Sequence, residues 1–118
     1  MGRKCDLLSL LEPNPVAYYW IGFLLADGGF TESRLKIGLS IKDKQHLEKF
    51  KLFVNSQNKI IFDDIKCYTA MMHTSVIKEL RNRFHIDNDK THNPPDIYHI
   101  TDDNLFISLV IGLIDGDG

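Results

Sequence analysis

Two stretches of this 118-residue chain carry the same pattern at a helix end. Trp20-Ile21-Gly22-Phe23-Leu24-Leu25-Ala26-Asp27-Gly28 and Val110-Ile111-Gly112-Leu113-Ile114-Asp115-Gly116-Asp117-Gly118 are apolar runs that close on an acid and a glycine. Each holds small residues at its third and seventh places: Gly22 and Ala26, then Gly112 and Gly116. A spacing of four puts both small residues on one side of a helix. Small residues so placed let two helix backbones approach closely, each row packing into the other. Two apolar helices lying together in this way would bring Asp27 and Asp117 side by side. One Asp-Gly after an apolar helix is ordinarily only a cap and a turn. Two copies with the small residues in matching places call for a joint explanation.

An acid at a helix C-terminus faces the negative end of the helix dipole, at a cost of roughly 0.3–1 kcal/mol. Two such acids in contact also repel, and raise one another's pKa. A divalent cation relieves both penalties. Mg²⁺ favours oxygen donors, typically one or two carboxylates with substrate phosphate and water. The pair Asp27 and Asp117 therefore reads as a metal site.

The residues between the two runs alternate in kind. Pro15 suits a first helical turn, and residues 16–26 contain no breaker but Gly22. That helix is expected to end at Asp27-Gly28-Gly29, with glycine supplying a positive φ. Residues 34–42 alternate strictly, with Leu35, Ile37, Leu39 and Ile41 on one side and Arg34, Lys36, Gly38, Ser40 and Lys42 on the other. Period two predicts a half-buried strand with a cationic outer face. Asp43 is placed to cap a helix carrying His46, Leu47, Phe50 and Val54 at helical spacing. Residues 60–62 and 67–72 read as two strands joined around Asp63-Asp64. Neither face of the second is clearly polar, and Met71 and Met72 read as core. His73-Thr74-Ser75 offers an N-cap for a helix over 76–84. Residues 87–96 read as a polar loop, and a last helix begins near Asp103.

The expected order is helix, two strands, helix, two strands, helix, loop, helix. That is an α/β (α+β) chain with an antiparallel sheet. Its parts are a leader (1–14), a first unit (15–100) and a second motif helix (101–118). An apolar fraction of 43% and a charged fraction of 25% are ordinary for a globular protein. The apolar residues near the N-terminus are too few for a signal or a membrane span. Cys5 and Cys67 supply neither a disulfide framework nor a metal spacing, which favours a reduced, intracellular protein without fixing its compartment. His46, His85, His92 and His99 lack ligand spacing and read as surface or partly buried residues.

Net charge is −2, but it is unevenly spread. Between residues 34 and 59 stand Arg34, Lys36, Lys42, Lys44, Lys49, Lys51 and Lys59 against only Asp43 and Glu48. Such a segment can bind phosphates in a protein of slightly negative total charge. On charge alone, the solvated side of a strand and a helix is the more ordinary reading.

The two nine-residue runs resemble the repeated motif of the LAGLIDADG homing endonucleases. The second is the closer; the first has Leu25 where the motif's sixth place holds an acid. The resemblance covers the chain from Pro15 onward. It implies an α-β-β-α-β-β-α subdomain whose antiparallel saddle faces the major groove of double-stranded DNA, followed by the second motif helix. It implies metal-dependent phosphodiester hydrolysis, with Asp27 and Asp117 holding Mg²⁺ or another divalent cation. Arg34 and Lys36 would read guanine edges or hold phosphate, Ser40 would allow close approach, and Lys42 would lie near the DNA backbone. Lys90-Thr91 resembles a pair whose lysine helps order the attacking water; a solvated loop lysine is the alternative. Gly22, Ala26, Gly112 and Gly116 would form the helix interface.

The resemblance also implies a second saddle beyond the second motif. The expectation is a split or shortened polypeptide that works with a C-terminal half, or with another copy of itself. Its apolar last helix would then seek cover. Rival readings are a DNA-binding module without catalysis, as some proteins of this fold are regulators or RNA-splicing helpers, and an assembly fragment inactive alone; an intein origin is a third. The target sequence and the host element are not legible.

Overall fold

The helix at Pro15–Asp27, α1, is apolar on every side, and such a helix must be buried on most of them. Ala17, Tyr18, Trp20, Ile21, Phe23, Leu24 and Leu25 all lie in the core. Asn14 caps its start by accepting the Ala17 N–H at 2.9 Å, with Pro15 in the first turn. The computed structural model describes residues 7–86, 97 and 99–117. After α1 come β1 (Gly28–Phe30), β2 (Arg34–Ser40), α2 (Lys44–Phe53), β3 (Ile61–Phe62), β4 (Lys66–Met72), α3 (Thr74–Phe84) and α4 (Asp103–Asp117). The order of helices and strands matches the expected one, although β1 has no periodic signal of its own, and the loop expected at 87–96 lies outside the described residues. The strands form one antiparallel sheet, ordered β1-β2-β4-β3, in a mixed α+β unit.

Register sorts the two faces of this sheet. Leu35, Ile37 and Leu39 of β2 pair with Met71, Thr69 and Cys67 of β4, and all of these are buried in the core with the helices. Arg34, Lys36, Gly38 and Ser40 pair with Met72, Ala70, Tyr68 and Lys66 on the opposite, open face. The outward side of β4, which the sequence left undecided, is therefore the Lys66–Tyr68–Ala70–Met72 row. Met71 is core as expected, but Met72 is 71% exposed, because neighbouring strand residues point to opposite faces. Thr69 is the polar member of the inner row, and its hydroxyl donates to the Lys59 carbonyl at 3.1 Å.

Several local expectations differ from what the chain does. The alternation ends at Ser40; Ile41–Asp43 turn through a 3-10 helix, which takes Ile41 out of the inner row and exposes it. Asp43 stands at the N-cap of α2 without a side-chain cap bond. Gly28 has φ −89 rather than a positive value, because the chain passes straight from α1 into β1. What Gly28 supplies is room, since a Cβ there would lie 2.8 Å from the Leu24 carbonyl oxygen. The stretch set apart as a leader includes a 3-10 helix, Leu7–Leu11, whose Leu7 and Leu10 are fully buried in the common core. In the turn before β4, Asp63 accepts the N–H groups of Ile65 (2.9 Å) and Lys66 (2.7 Å). Those donors hold its carboxyl below the usual carboxylate range. His73 caps α3 by accepting the Val76 N–H at 3.4 Å. Among the described residues no helix is long and apolar enough to cross a membrane.

Candidate functional site

Helices α1 and α4 touch backbone to backbone. A Cβ on Gly22 would run into the carbonyl of Leu109 and approach the amide nitrogen of Leu113. A Cβ on Gly112 would run into the carbonyl of Tyr19 and approach the amide nitrogen of Phe23. The two glycines thus meet the same backbone groups of equivalent residues, each pair offset by 90 positions, so the contact has a local two-fold symmetry within one chain. Gly116 continues the row, its absent Cβ lying 2.8 Å from the Phe23 carbonyl oxygen and 2.9 Å from the Ala26 Cβ. Going from Gly112 to Gly116 moves the contact on α1 from Tyr19 towards Ala26. The helices therefore run in the same direction, and their acidic ends come together. All four residues expected at the helix interface take part.

Asp27 and Asp117 are the last residues of their helices, and both are exposed. An open cavity of 570 Å³ lies at this end of the pair. Asp27, Asp115 and Gly116 contribute from the helices, Gly38, Ser40 and Lys42 from β2 and the turn after it, Lys66 from β4, and Asp43 and His46 from around the start of α2. The cavity thus brings Asp27 together with Ser40 and Lys42. It adds Asp115, the sixth residue of the second nine-residue run, and Lys66; Asp117 is not among its lining residues. Carboxylate oxygens suit a hard cation, and two of them leave coordination positions for phosphate and water. Among the described residues no group of three or more His, Cys, Asp or Glu could hold a metal ion.

Sequence reasoning missed the residues that lock this end. The Tyr19 hydroxyl donates to Asp115 Oδ2 at 2.7 Å and lies 2.8 Å from His46 Nε2. A phenol has one proton, and here it goes to the carboxylate. The imidazole must therefore carry its proton on Nε2 and donate it to the phenolic oxygen. The network ties α1, α4 and α2 together. Burial, then the hydrogen bond to Asp115 and its charge, push the Tyr19 phenol up well above its ordinary range. Burial, then the Lys49 charge, hold the His46 imidazole low, against the opposing pull of Asp115 and Asp43. His46 also packs on Trp20 and Phe23, each with ring centroids 4.9 Å away. A pattern of His at one helical position and Tyr in a motif helix gives no spacing signal, because the partners meet only through the tertiary fold.

The outward sheet face carries Arg34 and Lys36, both exposed. Small residues stand around them: Gly29 on β1, Gly38 and Ser40 on β2, Ala70 on β4. The Lys36 ammonium lies over the Tyr68 ring, 4.6 Å from its centroid. Lys90, expected to act on the attacking water, lies outside the described residues, as do Cys5 and Gly118. The described cysteine, Cys67, is buried, and burial raises its thiol.

The outer side of α4 is uncovered. Ile107 is 55% exposed, Ile111 48% and Ile114 64%. Their two-fold counterparts on α1 are Ala17, Ile21 and Leu24, at 0%, 2% and 1%. Leu109, by contrast, is fully buried between the helices, and Leu105 and Leu113 are partly buried against the core. Comparison with models of protein families finds no match for this chain, and comparison with curated proteins finds none.

Proposed function

We propose that this chain is a DNA-cleaving unit of the LAGLIDADG homing endonuclease type, a magnesium-dependent hydrolase of double-stranded DNA. One observation carries the reading. Carboxylates from the ends of two close-packed parallel helices share a cavity with Ser40, Lys42 and Lys66, at the rim of a cationic antiparallel sheet. A sheet of that shape and charge suits the major groove, which admits a two-stranded ribbon.

In this account Arg34 and Lys36 hold phosphates or guanine edges, and Ser40 lets the DNA backbone come close. Lys42 and Lys66 draw the scissile phosphate towards the carboxylates. Asp27, which lines the cavity, and Asp117, the last residue of α4, would hold a divalent cation at the helix ends. A divalent cation held by these carboxylates would supply charge stabilisation at phosphorus and help activate the attacking water. Tyr19 fixes the Asp115 carboxylate, so that the third acid at this end is held in place. Lys90 retains its proposed part in ordering the attacking water.

The exposed Ile107, Ile111 and Ile114 favour a second reading of the same chain, as the assembly half of a two-part endonuclease. The uncovered row would take a C-terminal half or another copy of this chain, and cleavage would need both.

Manganese titration tests the metal reading without knowledge of a target sequence. Mn²⁺ should broaden amide resonances of Gly28 and Gly116 first, and Asp27→Asn should weaken that broadening. Uniform broadening, or an unchanged pattern in Asp27→Asn, counts against the carboxylate pair.

A further inference from the structure

The Lys36 side chain stands in unusual surroundings for a surface lysine. Its register partners are Gly29 on β1 and Ala70 on β4, and its outward neighbour along β2 towards the cavity is Gly38. None of these has a side chain larger than a methyl group. A lysine on such a floor would keep its rotamer freedom in the free protein and lose it on binding. Arg34 and Met72 stand on the other side of Lys36, and on the side towards the cavity one large side chain reaches it. Tyr68, diagonal to Lys36 across the β2–β4 pair, places its ring 4.6 Å from the ammonium. Tyr68 in turn lies opposite Gly38, where an added Cβ would sit 3.4 Å from the Tyr68 Cβ. Gly38 thus puts no side chain against the base of the Tyr68 side chain.

We infer that Tyr68 is a positioning residue: its ring holds the Lys36 ammonium over the centre of the outward sheet face, ready for a phosphate of duplex DNA. The inference rests on the DNA-binding reading above, and it assigns Tyr68 a part that charge and spacing do not reveal. The benefit is preorganisation, since an ammonium already held in place surrenders less freedom when the phosphate arrives. An aromatic ring is required; a hydroxyl is not.

The test has two readouts on the full chain. The first needs no DNA. Ring current from Tyr68 should move the Lys36 ε-methylene protons upfield in the NMR spectrum. Tyr68→Phe should keep that shift and Tyr68→Leu should abolish it. Unshifted methylene protons in the unaltered chain overturn the inference whatever the variants do.

The second readout is affinity for a random-sequence DNA duplex at low salt. Tyr68→Leu should weaken binding about two- to five-fold, the usual scale of an exposed cation–π contact, and Tyr68→Phe should not. In a Lys36→Met background Tyr68→Leu should have no further effect. A Tyr68→Leu variant that binds as tightly as the parent, or more tightly, overturns the inference, the latter because the ring would be competing with DNA for the ammonium. Shifted methylenes in a chain with no affinity for DNA would overturn the DNA-binding reading, and with it Lys36 as a phosphate contact, while leaving the Lys36–Tyr68 pair in place.

Discussion

Tyr19 on α1 donates its phenolic proton to Asp115 on α4 across 2.7 Å, joining the two motif helices at their acidic end. Its oxygen is also 2.8 Å from His46 on α2. Tyr19→Phe removes both bonds and keeps the ring. The expected loss is about 1 kcal/mol, since Asp115 is exposed and water can replace the phenol there. Urea denaturation of parent and variant measures it. A loss near zero would mean that the network orients Asp115 without stabilising the fold.

His46 makes stability depend on pH. Burial and the Lys49 charge lower its pKa from the ordinary 6.5. As pH falls, the unfolded chain takes up this proton before the folded one does. The contribution of neutral His46 is therefore complete above about pH 6.5 and is lost as pH falls through the lower folded value. The difference in stability between the parent and His46→Gln should be flat above that pH and shrink below it. Parallel curves across the range would refute the assignment.

Gly112→Leu should force α1 and α4 apart. Even a Cβ at this position meets the Tyr19 carbonyl, which belongs to the helix backbone and cannot swing aside. Overpacking typically costs about 1–3 kcal/mol. A lowered denaturation midpoint, with loss of the Tyr19–Asp115 bond, is the expected result. A variant as stable as the parent would contradict the close backbone contact.

The parts legible in the sequence are those that local chemistry decides. Leu35, Ile37 and Leu39 are buried and Arg34 and Lys36 exposed because alternation and pleat coincide. Gly22, Ala26, Gly112 and Gly116 sit at the helix contact because only small residues permit it. What was not legible depends on where elements meet. Ile41 leaves the sheet because the chain turns at Ser40 to reach α2. Asp115, rather than Asp117, lines the cavity with Asp27, and the nine-residue pattern does not say which acid of the second run faces inward. His46 and Tyr68 acquire partners only across elements, 27 residues away for His46 and through strand register for Tyr68.

The row of Ile107, Ile111 and Ile114 should drive association of the isolated chain. Exposed apolar area is unfavourable by roughly 25 cal/mol per Å², and contiguous patches mark interfaces. Sedimentation at low micromolar concentration should show self-association, and Ile111→Lys should reduce it. A monomeric parent would show that this row alone does not hold two copies together.

Amide chemical-shift mapping with a random-sequence duplex in Mg²⁺ asks whether the outward sheet face and the acidic helix ends together receive duplex DNA. The expected perturbations fall at Arg34, Lys36, Gly38, Ser40, Lys66 and Tyr68 and at the Asp27 and Asp115 ends of the helices, with little change along α3. Perturbations centred on α3, or none at saturating DNA, would contradict the DNA-binding reading.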